Sequence, residues 1–164
     1  MKIALFILML PLVGCMQSHQ NDSFVGKIKL PSGETVVIEE GMFEARSIGS
    51  FSIRLYEAAL PGDEMTFFSS GLVLSRDGVI EKVDLVDITN DHQLEIIVIV
   101  RSVGSGGYIS AYAFSIRNQQ IILRSKIKDI LANEDPIVAL KKVTIPVSVD
   151  SVGRRKTSKP VNNP

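Results

Sequence analysis

The chain has 164 residues, 45% hydrophobic and 22% charged, enough for one domain with a proper core and too short for two comfortable ones. Lys+Arg and Asp+Glu balance at 18 each, so no global field singles out nucleic acid or an acidic surface as a partner. A single cysteine excludes an internal disulfide and leaves the fold to its core.

The first residues, MKIALFILMLPLVGC, place Lys2 before an apolar run from Ile3 to Leu10. A charged start with a short apolar segment reads as a secretory leader, too short to span a bilayer. Its end, Leu12-Val13-Gly14-Cys15, resembles the bacterial lipoprotein cleavage box, which implies cleavage after residue 14 and acylation of Cys15. Met16, standing where an Asp would retain the protein at the inner membrane, implies an outer-membrane anchor. Residues 15–23 then form an acylated N-terminus and polar tether.

Strand signals follow in succession. FVGKIKL and ETVVIEE flank Pro31-Ser32-Gly33, a hairpin signature, and FSIRLYEA alternates with Phe51, Ile53 and Leu55 on one face. FFSSGLVLSR and VIEKVDLVDI flank Asp77-Gly78, a two-residue hairpin signal. LEIIVIV is apolar without alternation, as in a central strand covered on both faces. YISAYAFSI and QIILRSKI flank Asn118-Gln119, another tight turn. Near the end Asp135 can cap a short helix with Pro136 at its first position, followed by Ile137, Leu140 and Lys141. About seven to eight strands with frequent turns predict an all-β, antiparallel β-sandwich with a short C-terminal helix. The sandwich domain is expected over residues 24–149, and 150–164, with Arg154-Arg155-Lys156, reads as a solvated tail.

Candidate chemistry is sparse. In VRSVGSGGYISAYAF, Gly104, Ser105, Gly106 and Gly107 interrupt two strands. A nucleophile elbow needs glycine two residues before the serine, where Val103 stands, and His19 and His92 are the only histidines available as a base. No helix follows to bind phosphate. Asp87, Thr89, Asp91 and Glu95 fall at positions 1, 3, 5 and 9 of a calcium-loop spacing. His92 replaces the required glycine and position 12 lacks a carboxylate, so a polar turn rich in Asn and Asp is the simpler reading. Glu39, Glu40, Glu57, Asp63 and Glu64 show no spacing that would pair two for acid–base work. Neither a cofactor nor an enzymatic activity is expected. What remains is a side-chain-poor loop able to present the Ser105 hydroxyl and Tyr108 phenol, or a glycine-rich turn with Tyr108 packed on its own sheet. Alternation puts Tyr108, Ser110, Tyr112 and Phe114 on one strand face.

Ser105-Gly106-Gly107-Tyr108 resembles the serine-glycine-x-tyrosine loop of the bacterial periplasmic inhibitors of invertebrate-type (i-type) lysozyme. IKLPSGETVVIEEGMFEARSIGSFSIRLY and GVIEKVDLVDITNDHQLEIIVIV are similar to the same family, so the resemblance covers roughly residues 24 to 142. It implies an antiparallel β-sandwich, often dimeric, whose loop of Ser105, Gly106, Gly107 and Tyr108 enters the active-site cleft of the lysozyme. Arg101, Gly104 and Tyr112 are candidate supports or rim contacts. The lipoprotein box departs from relatives with a simple signal peptide. The competing reading is an envelope structural or adhesion-type lipoprotein, with a weak calcium loop at Asp87–Glu95.

Overall fold

Alternating apolar residues and well-placed turns build eight strands and one helix in a computed structural model that describes residues 23–60 and 62–144. The leader, Cys15, most of the tether and the 150–164 tail lie outside the described residues, as do positions 145–149 of the expected domain. Strands β1 (Val25–Lys29), β2 (Thr35–Glu40), β3 (Gly49–Glu57) and β4 (Phe67–Arg76) form one antiparallel sheet in sequence order. Strands β5 (Val79–Val86), β6 (Glu95–Arg101), β7 (Ile109–Arg117) and β8 (Gln120–Ile130) form the second. Helix α1 spans Pro136–Thr144. The expected sandwich with a short helix is the architecture observed.

The two sheets share one core. Val36, Ile38, Phe51, Ile53 and Leu55 from the first meet Ile96, Val98, Val100, Tyr112 and Phe114 from the second. Phe51 meets Tyr112 edge-on with ring centroids 5.2 Å apart, and Tyr112 stacks beside Phe114 at 6.5 Å. Such contacts add to the area buried, so three of the chain's few aromatic rings sit where they bind the sheets together.

The opposite face of the second sheet is covered by α1. Ile97 and Ile99 on β6, Ile109, Ala111 and Ala113 on β7, and Ile130 on β8 pack with Leu140, which is fully buried. This explains why LEIIVIV is apolar without alternation: Ile96, Val98 and Val100 face the first sheet, and Ile97 and Ile99 face the helix. The small Ala111 and Ala113 leave room for the helix to approach. Asp135 caps it, its Oδ1 accepting the Ile137 N–H at 2.8 Å.

The Pro31-Ser32-Gly33 and Asn118-Gln119 turns join paired strands as predicted, with Asn118 and Gln119 both at positive φ, as a type I′ turn requires. Asp77-Gly78 does not. β4 pairs with β3 and β5 with β6, so these two residues carry the chain from one sheet to the other. Gly78 has φ 121°, and a Cβ there would collide with the Arg101 carbonyl and lie 2.8 Å from the Ser102 Cα. The glycine is needed for close approach at a corner rather than for a hairpin.

That corner is fixed by a buried ion pair. Arg76, 3% exposed, lies with its Nε 3.9 Å from Oε1 of Glu40, which is 5% exposed. Arg76 also donates to the carbonyls of Ser50 and Arg46 at 3.0 Å, of Ala45 at 3.2 Å, and of Gly78. Glu40 accepts the Ile80 N–H at 2.5 Å, so its carboxylate joins the first sheet to the second. Antiparallel succession then gathers connections 41–48, 77–78, 102–108 and 131–135 at one end of the sandwich.

Candidate functional site

Loop 102–108 leaves the end of β6 and returns at the start of β7. Its neck is closed by the Ser102 N–H donating to the Tyr108 carbonyl at 2.8 Å. Its tip is a tight turn, with the Gly107 N–H donating to the Gly104 carbonyl at 3.2 Å. Ser102 Oγ accepts the Gly104 N–H at 3.3 Å, which stiffens the ascending side. Gly107 sits at φ 56°, in the left-handed region that glycine enters without strain.

Arg101 clamps the descending side. One guanidinium nitrogen reaches the Gly107 carbonyl at 3.3 Å and another meets Glu81 Oε2 on β5 at 2.9 Å. Its charge is thereby engaged within the molecule. Gly104 is the first residue of the turn and bonds to Ser102; a Cβ there would come no nearer than 3.5 Å to Ser102 Oγ.

Ser105 is exposed at the tip, and Tyr108 is 45% exposed. The Tyr108 ring folds over the Gly106 backbone: a Cβ on Gly106 would lie 2.8 Å from its Cδ2 and closer still to Cε2. Tyr108 therefore lies against its own loop and remains exposed. This also departs from simple alternation, because the ladder begins at Ile109 and Tyr108 precedes it. Gly106→Ala should displace the Tyr108 ring, seen as a change in its near-UV signal, while thermal stability, read by calorimetry, changes little because the site is exposed.

Tyr112 is not a rim contact. It is 1% exposed in the inter-sheet core, and its hydroxyl donates to the Ser75 carbonyl on β4 at 3.1 Å. Burial, with a smaller contribution from Asp77, raises its pKa above the ordinary 10.0. Its part is to tie β7 to the first sheet beneath the loop.

The acidic Asp87–Glu95 segment spends its carboxylates on its own backbone. Asp87 accepts the N–H groups of Asn90 at 2.7 Å and His92 at 2.9 Å, and Asp91 accepts that of Gln93 at 2.9 Å. Glu95, 3% exposed, accepts the Ile88 N–H at 3.0 Å. No group of three or more potential metal ligands converges among the described residues. The other carboxylates are engaged separately: Glu39 with Arg54, Glu57 with Ser69, Asp63 with Thr66 and Glu64 with Lys27. Sequence reasoning missed Glu81, which holds Arg101 from β5, and the Arg76–Glu40 pair, which holds the neighbouring Gly78 corner; the Arg76-Asp77-Gly78 run is the one signal pointing there.

A sandwich that holds a slim, internally hydrogen-bonded loop, with Ser105 exposed at its tip and Tyr108 exposed at its neck, has the form of a loop-presenting binding protein. Residues 22–144 match the sequence model described as periplasmic lysozyme inhibitor of I-type lysozyme, and the chain belongs to that family. The crystal structure of PliI-Ah, the periplasmic lysozyme inhibitor of I-type lysozyme from Aeromonas hydrophyla, is similar at 42% identity and a TM-score of 0.68, covering 71% of this chain and 98% of that one. Aeromonas hydrophila PliI in complex with Meretrix lusoria lysozyme is similar at 42% identity and a TM-score of 0.67, covering 72% and 95%. No curated protein sequence matches the chain significantly.

Proposed function

We propose that this chain inhibits i-type lysozyme by placing the Ser105-Gly106-Gly107-Tyr108 loop in the enzyme's glycan cleft, and so protects the cell wall. The observation that carries the reading is the loop itself: closed at its neck, turned at its tip and clamped by Arg101, with two hydroxyl-bearing side chains outward. Membership of the inhibitor family and the relative's complex with a lysozyme support the choice of partner. Lysozymes cut glycan with two carboxyl groups, one acid and one nucleophile or stabiliser. Hydroxyls from Ser105 and Tyr108 directed at those groups would each contribute about 1.5–3 kcal/mol as charge-assisted hydrogen bonds. A preformed loop loses little entropy on docking. Neither hydroxyl offers the enzyme a scissile bond, so the loop blocks the cleft without being consumed, and the chain needs no catalytic activity of its own.

The proposed organisation is a leader over 1–14, an acylated tether over 15–23, the inhibitor domain over 24–149 and a tail over 150–164. Acylation of Cys15 would hold the inhibitor at the periplasmic face of the outer membrane, since several acyl chains give a stable anchor where one gives a marginal one. The direct test is the mature chain assayed against chicken-type, goose-type and invertebrate-type lysozymes. Inhibition confined to the invertebrate type is the expected result; no effect on any of them would defeat the proposal.

A further inference from the structure

The connection 41–48 between β2 and β3 is built around one carboxylate and turns its largest apolar residues outward. Phe43 is 85% exposed, Met42 66% and Ile48 67%. Phe43 also sits at φ 65°, where a bulky residue is a genuine outlier. An exposed aromatic ring on strained backbone contributes nothing to the core, and such strain persists only where surrounding structure imposes it.

Here the surroundings are specific. Glu44 accepts the Ser50 N–H and, at 2.7 Å, the Ser50 hydroxyl, and lies 3.9 Å from Arg76. Those two hydrogen bonds, and more weakly Arg76, hold its carboxyl below the ordinary value of 4.5. A Cβ at either Gly41 or Gly49 would collide with this carboxylate. With Glu44 turned inward, Met42 and Phe43 are left facing solvent on a stiff loop.

The same frame joins this loop to the other. Arg76 bonds the carbonyls of Ala45 and Arg46 on one side and of Gly78 on the other, and Gly78 abuts Arg101 and Ser102. Loops 41–48 and 102–108 therefore stand at one end of the sandwich on a shared support. A partner whose cleft receives Tyr108 brings its adjoining surface to that same end.

We infer that the 41–48 loop is a second lysozyme-contacting element, with Phe43 packing on an apolar patch of the enzyme beside its glycan cleft. This rests on the inhibitor reading above. The cleft loop supplies hydrogen bonds to the carboxyl groups; the Phe43 loop supplies buried apolar area, the kind of aromatic anchor that dominates many interfaces.

The test is Phe43→Asn, because Asn tolerates left-handed backbone and relieves the strain while removing the ring. Inhibition of i-type lysozyme by the full mature chain should weaken about tenfold or more, with Tm unchanged or raised, whereas Phe43→Tyr, which keeps the ring, should stay close to the parent. If Phe43→Asn inhibits as well as the parent, the second contact is overturned and the cleft-loop reading stands. A fall in Tm accompanying the loss also overturns it, since the ring would then serve the fold. So does conversion of a dimer to a monomer with inhibition unchanged, which assigns the surface to a second copy of the chain. A parent that inhibits no i-type lysozyme defeats both readings.

Discussion

Replacing Ser105 and Tyr108 together with alanine should nearly abolish inhibition of i-type lysozyme while leaving the fold intact. Each hydroxyl is expected to contribute about 1.5–3 kcal/mol against a carboxyl group, so each single variant should weaken inhibition by roughly ten- to a hundredfold. The pair should cost about 3–6 kcal/mol, on the order of a hundredfold to ten-thousandfold. Stability should hardly change, because both residues are exposed and neither side chain closes the loop. The closing bonds run through the backbone of Ser102, Gly104, Gly107 and Tyr108 and through Arg101, all of which the double variant retains. Inhibition constants from a cell-wall lysis assay, read beside thermal denaturation, separate the two effects. A double variant that inhibits like the parent would sink the loop mechanism.

The strands and the tip of the site were legible in the sequence because their signals are local. Phe51, Ile53 and Leu55 alternate onto one face and are all fully buried, and the unbroken apolar run of β6 correctly implied a cover on both sides. Asn118-Gln119 could be read as a turn because Asn tolerates the left-handed region that a two-residue hairpin turn requires, and both residues do occupy positive φ. Asp77-Gly78 carries an equally strong turn signal, yet a turn motif says only that the chain reverses. Whether the flanking strands pair or part into two sheets depends on where β3 and β6 lie, and that is a long-range outcome. The rim reading of Tyr112 falls for a related reason: alternation grouped it with Tyr108, but the β-ladder starts only at Ile109, which leaves Tyr108 in the loop and Tyr112 in the core. The Arg76–Glu40 pair joins residues on strands that do not hydrogen-bond to each other, and no local pattern could have announced it. For the acidic segment, sequence spacing placed oxygens near one another, but short Asx turns had first claim on them.

Arg76→Met should be among the most damaging single substitutions in the described domain. The side chain is 2% exposed, and its removal leaves the Glu40 carboxylate, 5% exposed, without the cation beside it. Four backbone carbonyls, of Ala45, Arg46, Ser50 and Gly78, lose a donor in the same step. Breaking one partner of a buried pair typically costs about 3–5 kcal/mol, because the surviving charge stays desolvated. At this chain length that corresponds to a fall in Tm of roughly 6–20 °C. The exposed pair Lys27–Glu64, with both side chains about half exposed, supplies the internal comparison: Lys27→Met should cost at most about 1 kcal/mol, because water screens both charges. Adding Glu40→Gln to Arg76→Met removes the orphaned charge and should recover part of the loss, an interaction that a double-mutant cycle in calorimetry would measure. Equal costs for Arg76→Met and Lys27→Met would show that the buried pair is not what holds the corner. The consequence for inhibition follows from position: the Gly78 corner that Arg76 grips lies against Arg101 and Ser102, the base of the cleft loop. Below its lowered Tm, the variant should therefore inhibit more weakly than the parent, although Ser105 and Tyr108 are both still present.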